Sequence, residues 1–289
     1  MAELCGQVEL PMPWEYSDEY YREYTRTTWN ESAEAYVDLL TNLEPFRAGL
    51  ITRLRPSNGQ TVLDLGTGPG EPALSIASHV GAGGKVIGVD LSENMITIAQ
   101  RVSSARSISN AEFRVMDCSR LDFEDDRFDS VASSFGFQIF TDPEKAAQEA
   151  HRVLHPNGRI AVSVWSVGDR VPWIHAIIGP MLKHAEPDET GYIPTPYELG
   201  GPGEMASFLN AAGFQDAQED RLVHPMHWTD EEHYLQSILK ATPIGHSLSE
   251  ETPEIQRQVL EETRSNLTKW RTADGLTIPG ECVFVTATK

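Results

Sequence analysis

The stretch Val62-Leu63-Asp64-Leu65-Gly66-Thr67-Gly68-Pro69-Gly70 determines which fold the sequence predicts. Residues 61–65 form a short apolar run rich in β-forming side chains, which is typical of a buried strand. The three alternating glycines that follow can adopt positive φ angles and let a ligand approach the main chain closely. A helix is predicted directly afterwards, from about Pro72 to His79. A strand, a glycine-rich turn and a helix in this order predict a ligand site at the carboxyl end of the strand.

Strands and helices continue to alternate as far as residue 165. Strands are predicted over Lys85–Asp90, Ala111–Met116, Phe128–Ser133 and Arg159–Trp165, and helices over Glu93–Val102 and Pro143–Leu154. Alternation at this spacing predicts a parallel sheet with helices on both faces. The crossover connections are expected to be right-handed because of backbone chirality. Residues 59–165 are therefore predicted to form an α/β core.

The segments on either side of this core have a different character. Residues 1–58 are predicted to form a helical, aromatic-rich N-terminal lid, with Ser17 and Asn30 as helix N-caps. Residues 166–202 show weak periodicity and are interpreted as an insertion. Helices over 202–212 and 229–240, a helix opened by Pro253, and strands over Phe214–His224 and Gly280–Ala287 complete the chain. Residues 166–289 are thus predicted to add a substrate insertion, lid helices and a closing strand pair to the same domain.

The composition excludes several classes of function. The chain has 289 residues, of which 43 are acidic and 23 basic, giving a net charge of −20. Such a protein should repel nucleic acids and anionic membrane surfaces. No apolar run is long enough to span a bilayer, and the first twelve residues lack the features of a secretion signal. Cys5, Cys118 and Cys282 are widely spaced, which predicts reduced thiols, a cytoplasmic protein and no metal site.

Two acidic residues indicate what kind of ligand the glycine turn binds. Asp90 closes the second strand, about 20 residues after the turn, where a carboxylate can accept hydrogen bonds from both hydroxyls of a ribose. A dinucleotide site would need glycine three residues after Gly68, but Glu71 stands there. A carboxylate at this helix N-terminus would repel a pyrophosphate, whereas it is tolerable beside an ammonium and a sulfonium. Glu71 could also serve as a partner of the helix dipole, and both interpretations disfavour a nicotinamide dinucleotide.

Several ordered motifs carry a resemblance to a known family. They are Val62–Gly70, Gly88-Val89-Asp90-Leu91-Ser92-Glu93-Asn94-Met95, Asp117-Cys118, Phe128-Asp129-Ser130-Val131 and Arg152-Val153-Leu154-His155-Pro156-Asn157-Gly158-Arg159. Together they make Thr61–Trp165 similar to the class I S-adenosylmethionine-dependent methyltransferases, especially the ubiquinone and menaquinone ring methyltransferases. The Pro-Gly-Gly turn usual in that family is Pro156-Asn157-Gly158 here, and Asn also tolerates a left-handed conformation.

The resemblance implies a Rossmann-like fold, with a seven-stranded, mostly parallel sheet, helices on both faces and a final antiparallel strand pair. It also implies S-adenosylmethionine as the cofactor. Gly66, Thr67, Gly68 and Gly70 would wrap the methionine part and the ribose, Asp64 would hold the amino group, and Asp90 would bind the ribose hydroxyls. Leu91 and Met95 would pack on the adenine, while Asp117 and the backbone N–H of Cys118 would hydrogen-bond its edge. Ser133 and Ser134 would lie beside the sulfonium, and Trp29 would contact the cofactor.

The acceptor is expected to be a small molecule that is methylated on N, O or C. Its pocket is expected among Tyr20, Tyr24, Phe135, Gln138, Trp173 and His175. Aromatic residues at helical spacing often serve packing alone, and Asp117 could equally cap a polar turn. Methyl transfer requires alignment and exclusion of water more than a base, but His246, expected in a loop over the site, is the candidate if a base is used. A non-catalytic S-adenosylmethionine-binding regulatory protein is the alternative, and a monomer or homodimer without nucleic-acid or membrane partners is expected.

Overall fold

The computed structural model describes residues 18–185, 197 and 199–289, apart from the side chains of Asp18 and Tyr20. The predicted cap Ser17 lies outside this part of the chain. The helices are α1 (Asp18–Leu54), α2 (Ala73–Val80), α3 (Glu93–Ala105), α4 (Pro143–Val153), α5 (Pro172–His184), α6 (Glu204–Ala211), α7 (Glu231–Ala241), α8 (Pro243–Glu250) and α9 (Pro253–Leu267). The strands are β1 (Thr61–Leu65), β2 (Lys85–Asp90), β3 (Ala111–Val115), β4 (Phe128–Ser134), β5 (Leu154–Trp165), β6 (Gln215–Trp228), β7 (Arg271–Thr272) and β8 (Gly275–Thr288).

The strands form one sheet in the order β3-β2-β1-β4-β5-β8-β6, and the short β7 pairs with β8. Strands β1 to β5 are parallel to their neighbours, whereas β8 runs antiparallel to both β5 and β6. The predicted Rossmann-like, mostly parallel sheet with a closing antiparallel pair is therefore confirmed. The two-residue strand β7 is an eighth strand that the sequence did not predict.

The central strands are buried on both faces. Val62 belongs to the same hydrophobic cluster as Phe46 and Leu50 of α1, whereas the next residue, Leu63, packs with Ala146 of α4 in a cluster on the other side. Successive side chains of a strand point to opposite faces, so a strand between two helical layers needs apolar residues throughout. This explains the almost uninterrupted apolar run that precedes the glycine turn.

Helix α1 is a single helix of 37 residues that crosses the carboxyl ends of the strands, with Pro45 inside it. Asn30, predicted as an N-cap, instead lies within α1, so that prediction was wrong. Its Oδ1 accepts hydrogen bonds from Ser92 Oγ at 2.6 Å and from the backbone N–H of Asn94 at 3.1 Å. Asn30 therefore supports the N-terminus of α3, whose own cap is Ser92.

Two helices differ from the sequence predictions. The segment interpreted as an irregular insertion contains α5, whose first turn begins at Pro172 and which buries Trp173, Ile174 and Ile177. Residues 243–250, where a loop was expected, form α8. Pro at the first position of a helix is favourable because its missing N–H has no partner there, and both helices begin in this way.

Candidate functional site

The glycine turn after β1 has the backbone geometry that the sequence predicted. Gly66 and Gly68 have φ angles of 68° and 54°, and the backbone N–H groups of Gly66 and Thr67 both donate to Val89 O at 2.9 Å. A Cβ added at Gly68 would meet nothing within 4 Å. The turn is thus fixed to β2 and exposes its main chain at Gly68 to open space, where a ligand can approach.

Asp90, at the carboxyl end of β2, is held by two backbone donors. Its Oδ2 accepts from Gly68 N at 2.8 Å and its Oδ1 from Ser92 N at 2.9 Å. Burial raises the pKa of this carboxyl, and the backbone N–H groups of Ser92 and Gly68 oppose that shift. Each carboxylate oxygen can accept about two hydrogen bonds, so Asp90 retains capacity for two further donors.

Asp117, which follows β3, joins α1 to the same edge of the sheet. Its Oδ1 accepts from the backbone N–H and the hydroxyl of Ser119 at 2.8 and 2.7 Å, and its Oδ2 lies 2.9 Å from Arg22 Nε. The adjacent Cys118 is buried, and burial raises its pKa well above the usual value for a thiol. Asp117 thus does cap a polar turn, and Cys118 is held away from the reactive thiolate form.

A cavity opens at these carboxyl ends; it is partly open to solvent, and about 180 Å³ of it is accessible to the centres of water molecules. One end is formed by Gly66, Gly68, Asp90, Leu91, Met95 and Asp117, together with Trp29. The remaining wall is apolar and aromatic, and comes from α1, the turn after β4, the end of β5, and α5, α7 and α8. Among the described residues that line it, Asp90 and Asp117 are the only charged ones.

The aromatic end of the cavity is built on Phe135. This residue follows β4 with a φ of 60°, a left-handed conformation that costs on the order of 1 kcal/mol for a residue with a Cβ. Its ring stacks on Trp165 with centroids 4.3 Å apart and an interplanar angle of 15°, and Trp173 packs edge-on against Trp165 at 5.1 Å. Strained backbone is found frequently at functional sites, and here it orients a flat aromatic surface along the cavity.

A smaller recess beside the glycine turn shares part of this lining. It is bounded by Tyr36, Arg47, Thr67, Glu71 and Ser134, among others. Glu71 contacts Ser75 N at 3.2 Å and Ser75 Oγ at 2.6 Å, and it lies 2.8 Å from Arg106 and 3.7 Å from Arg47. Glu71 therefore bonds the first turn of α2, and two guanidinium groups share its one negative charge.

Two polar atoms near this recess, Oδ1 of Asp64 and Oγ1 of Thr67, are buried and have no described partner other than each other. The other oxygen of Asp64 accepts from Ala73 N at 3.2 Å, and burial raises the pKa of Asp64 to about 7. Both atoms are sealed from open space, so neither is exposed in the recess.

The structure brings most of the predicted site residues to one cavity. Those that line it are Gly66, Gly68, Asp90, Leu91, Met95, Asp117, Cys118, Ser134 and Trp29, with Tyr24, Phe135, Gln138 and Trp173 on the acceptor side. Thr67 lines the adjoining recess. Asp64, Gly70 and Ser133 lie behind the wall; the Ser133 hydroxyl donates to Leu65 O at 3.0 Å. The side chain of Tyr20 lies outside the described part of the chain.

Both predicted histidines lie outside the cavity lining. His246 belongs to α8, where its ring nitrogens lie 3.4 Å from Glu31 and 3.5 Å from Glu250. His175, in α5, has its ring 6.3 Å from that of Tyr197, and burial lowers its pKa. The prediction of a loop around His246 was wrong, because the residue lies in α8. The geometry does not favour the ring of either histidine as a base for a molecule in the cavity.

Sequence reasoning missed several residues of the wall. From α1 they are Tyr21, Thr25, Thr28, Tyr36, Leu39 and Leu43, and from later elements Trp165, Ile174, Ile238, Thr242, Pro243 and Ile244. The spacing of four and three residues among those from α1 marks one face of a helix. That spacing was visible in the sequence, but it does not reveal whether the face meets a core or a cavity.

The described residues contain neither a membrane-spanning helix nor a metal-binding cluster. No helix there combines the length and apolar character that a membrane crossing needs. The same part of the chain contains no group of three or more His, Cys, Asp or Glu side chains arranged to hold a metal ion.

Comparison with known proteins relates this site to one family. A family profile described as a methyltransferase domain matches residues 56–193. A demethylmenaquinone methyltransferase of Thermus thermophilus is 39% identical over 140 residues, which are 46% of this chain and 62% of that protein. The chain therefore spans about three fifths of the length of that relative. A demethylmenaquinone methyltransferase of Bacteroides fragilis is 29% identical over 189 residues, covering 62% of this chain and 77% of that protein.

A solved structure shares the fold. The YcgJ protein of Bacillus subtilis superposes with a TM-score of 0.58 at 19% identity, over 84% of this chain and 98% of that one.

Proposed function

We propose that this chain, which is similar to class I S-adenosylmethionine-dependent methyltransferases of the quinone-biosynthesis group, transfers a methyl group to a small, neutral, apolar acceptor held in the aromatic end of the cavity. One observation carries this proposal. A single cavity joins the end that holds Asp90 and Asp117 to a wall of Phe135, Trp165 and Trp173. Cofactor and acceptor would therefore meet without crossing water.

The polar end would hold the nucleoside of the cofactor. The two unused acceptor positions of Asp90 would receive the ribose hydroxyls, while Leu91 and Met95 would pack on the adenine and Trp29 would contact the cofactor. Asp117 and the Cys118 N–H would hydrogen-bond the adenine edge, for which Asp117 would share its Oδ2 with Arg22. Gly66 and Gly68 would permit close approach of the main chain, and Ser134 would lie near the methyl path.

The recess beside the glycine turn would hold the amino acid part of the cofactor. Arg47 has only 15% of its side chain exposed and shares Glu71 with Arg106, so part of its charge is available to a carboxylate. Asp64, whose side chain is buried, would hold the ammonium group through an intervening water. A recess with a cation and a nearby carboxyl suits a zwitterion.

The bound cofactor supplies a methyl group on a positively charged sulfur. The protein would bind and orient the acceptor between the aromatic rings, and α1 with α7 and α8 would exclude water from it. The lining contains no histidine, lysine, arginine or glutamate, so no side chain of the described wall is placed as a strong base. The described residues of the aromatic end include no anion, which favours a neutral acceptor over a cationic one, since a buried cation needs a partner.

Methyl transfer from radiolabelled S-adenosylmethionine to a metabolite extract tests this function. Label is expected in products that partition into an organic solvent. Label found only in the aqueous phase would contradict an apolar acceptor, and the absence of label with native, cofactor-binding protein would favour a regulatory protein. A cytoplasmic location, the lack of nucleic-acid partners and a monomeric or homodimeric state remain predictions from the sequence.

A further inference from the structure

Gln138 is a buried amide in the acceptor wall, and its orientation is fixed. It lies in the turn between β4 and α4, and 9% of its surface is exposed. Its Oε1 accepts from the backbone N–H of Trp165 at 2.7 Å. A backbone N–H can only donate, so the oxygen of the amide must face Trp165 and the nitrogen must point elsewhere.

The Nε2 group of Gln138 has no acceptor among the residues that the structure describes. No hydrogen bond of this nitrogen is found there, and it is not one of the polar atoms sealed from all open space. Because Gln138 lines the cavity, its two N–H bonds are available to a molecule inside. A buried donor without a partner costs about 1–3 kcal/mol, so the cavity favours a ligand that supplies an acceptor atom.

The neighbouring polar groups do not duplicate this donor. The hydroxyl of Tyr24 lies 2.8 Å from Ser247 Oγ, that of Thr28 donates to Tyr24 O at 2.9 Å, and that of Thr242 donates to Ile238 O at 2.7 Å. Thr25 also lines the wall, but a hydroxyl can donate or accept and therefore does not select between ligands. The indole N–H of Trp173 also lacks a partner among the described residues, but it is sealed from open space. Gln138 is therefore the described side chain of this group that offers only a donor to a molecule in the cavity.

These contacts indicate which chemical class of acceptor the proposed function would use. We propose that Gln138 donates a hydrogen bond to a carbonyl or phenol oxygen of a flat aromatic acceptor and so makes that oxygen a requirement for tight binding. The Phe135–Trp165 stack supplies a planar apolar surface next to the amide. The inference rests on the proposed function, since it describes the acceptor half of the same cavity.

Two probes that differ by one oxygen test this role. 1-Tetralone carries a carbonyl on a ring system that is otherwise the same as that of tetralin. Their dissociation constants are measured by equilibrium dialysis with saturating S-adenosylhomocysteine, at pH 8, for wild-type protein and for Q138L and Q138E. Taking the ratio of the two constants in each protein removes differences that affect both probes equally.

The wild-type protein is expected to prefer 1-tetralone, and this preference should fall by about 3- to 10-fold in both variants, as for loss of one neutral hydrogen bond. Q138L leaves the Trp165 N–H unpaired and can lose stability. Q138E keeps an oxygen for that N–H while removing the donor in its ionised form. T28V is the matched control: its hydroxyl is on the same wall but already bonded to Tyr24 O, so the wild-type preference should remain.

Several results would overturn the proposal. These are failure of 1-tetralone to bind the wild-type protein, an unchanged preference in folded Q138E, or an equal loss of preference in T28V. Calorimetry with S-adenosylhomocysteine alone distinguishes failure of the acceptor assignment from failure of the proposed function. If that ligand binds and the preference does not depend on Gln138, only the acceptor assignment fails. If it does not bind, the proposed function itself fails.

Discussion

At the scale of one residue, Asp90 is a carboxylate held in an orientation that suits the proposed nucleoside. Two backbone N–H groups fix both oxygens, so the remaining acceptor positions point in set directions. Replacement of Asp90 by Ala should raise the dissociation constant of S-adenosylhomocysteine by about 10- to 100-fold, because charged hydrogen bonds are worth about 1.5–3 kcal/mol. Calorimetry checks this, with D38A, an exposed acid on α1, as a control that should bind normally. Unchanged affinity in folded D90A would contradict the role of Asp90.

Arg47 should recognise only the amino acid part of the cofactor. We predict that R47M weakens binding of S-adenosylhomocysteine by about 10-fold or more, yet leaves binding of 5′-methylthioadenosine, which lacks the carboxylate, within about twofold of wild type. R106M removes the other partner of Glu71 and should affect neither ligand strongly. An equal loss of both ligands in R47M would indicate a structural role instead. Calorimetric titration of each variant with both ligands distinguishes these cases.

The buried carboxyl of Asp64 should make the free energy of unfolding depend on pH. Its pKa is about 7 in the folded protein because of burial, against about 3.9 when unfolded, so the folded state binds more protons between these values. The free energy of unfolding contributed by Asp64 is therefore fully present below about pH 4 and is lost as the pH rises through 7.

Comparison with D64N isolates that contribution. The difference in unfolding free energy, wild type minus D64N, should fall by about 2–3 kcal/mol between pH 5 and 8. Urea unfolding across this range provides the measurement. A difference that stays constant or rises with pH would contradict the assigned pKa.

Residues of the cofactor end were predictable because their signals are local. The glycine turn directly follows β1, Asp90 ends β2 and Asp117 lies two residues after β3, and strand ends are visible from apolar runs. The positive φ of Asn157, 64°, was likewise expected from its position before Gly158. Arg47 and Tyr36 could not be found in this way, because helical spacing shows which residues share a face but not what that face meets.

At the scale of elements, α1 is coupled to α3 through Asn30. We predict that N30A lowers the free energy of unfolding by about 1 kcal/mol, as for other capping residues, and also weakens binding of S-adenosylhomocysteine, because Ser92 contacts both Asn30 and Asp90. D142A removes the N-cap of α4, where Asp142 accepts from Lys145 N, and should cost similar stability with normal binding. Thermal unfolding and calorimetry on both variants test this. Equal binding in N30A and D142A would argue against the coupling.

The α/β elements were easier to predict than the additions around them. Strands β1 to β5 are each bounded by turns and filled with apolar residues, so their existence was clear from the sequence. Helix α5 begins at Pro172 and α8 begins at Pro243, with a single residue between it and the end of α7. The prolines and the weak periodicity of these segments concealed both helices. Burial of Trp173 and Ile177 against the rest of the core, rather than local propensity, stabilises α5.

At the scale of the whole molecule, a parallel sheet between helical layers followed from the alternation of strands and helices, and the closing antiparallel pair followed from the family resemblance. Closure of the cavity followed from neither. The acceptor wall combines α1 with α7 and α8, elements separated by some two hundred positions in the sequence, and contacts such as Tyr24 with Ser247 at 2.8 Å join them. No local pattern encodes such a pairing. The shape and polarity of the acceptor end therefore emerge only from the folded chain.

The central claim is that this cavity binds S-adenosylmethionine at its polar end, and calorimetric titration of the wild-type protein with S-adenosylhomocysteine tests it most directly. We predict saturable binding of one ligand per chain, which is weakened in D90A. Absence of binding to correctly folded protein, or binding that D90A leaves unchanged, would contradict the account.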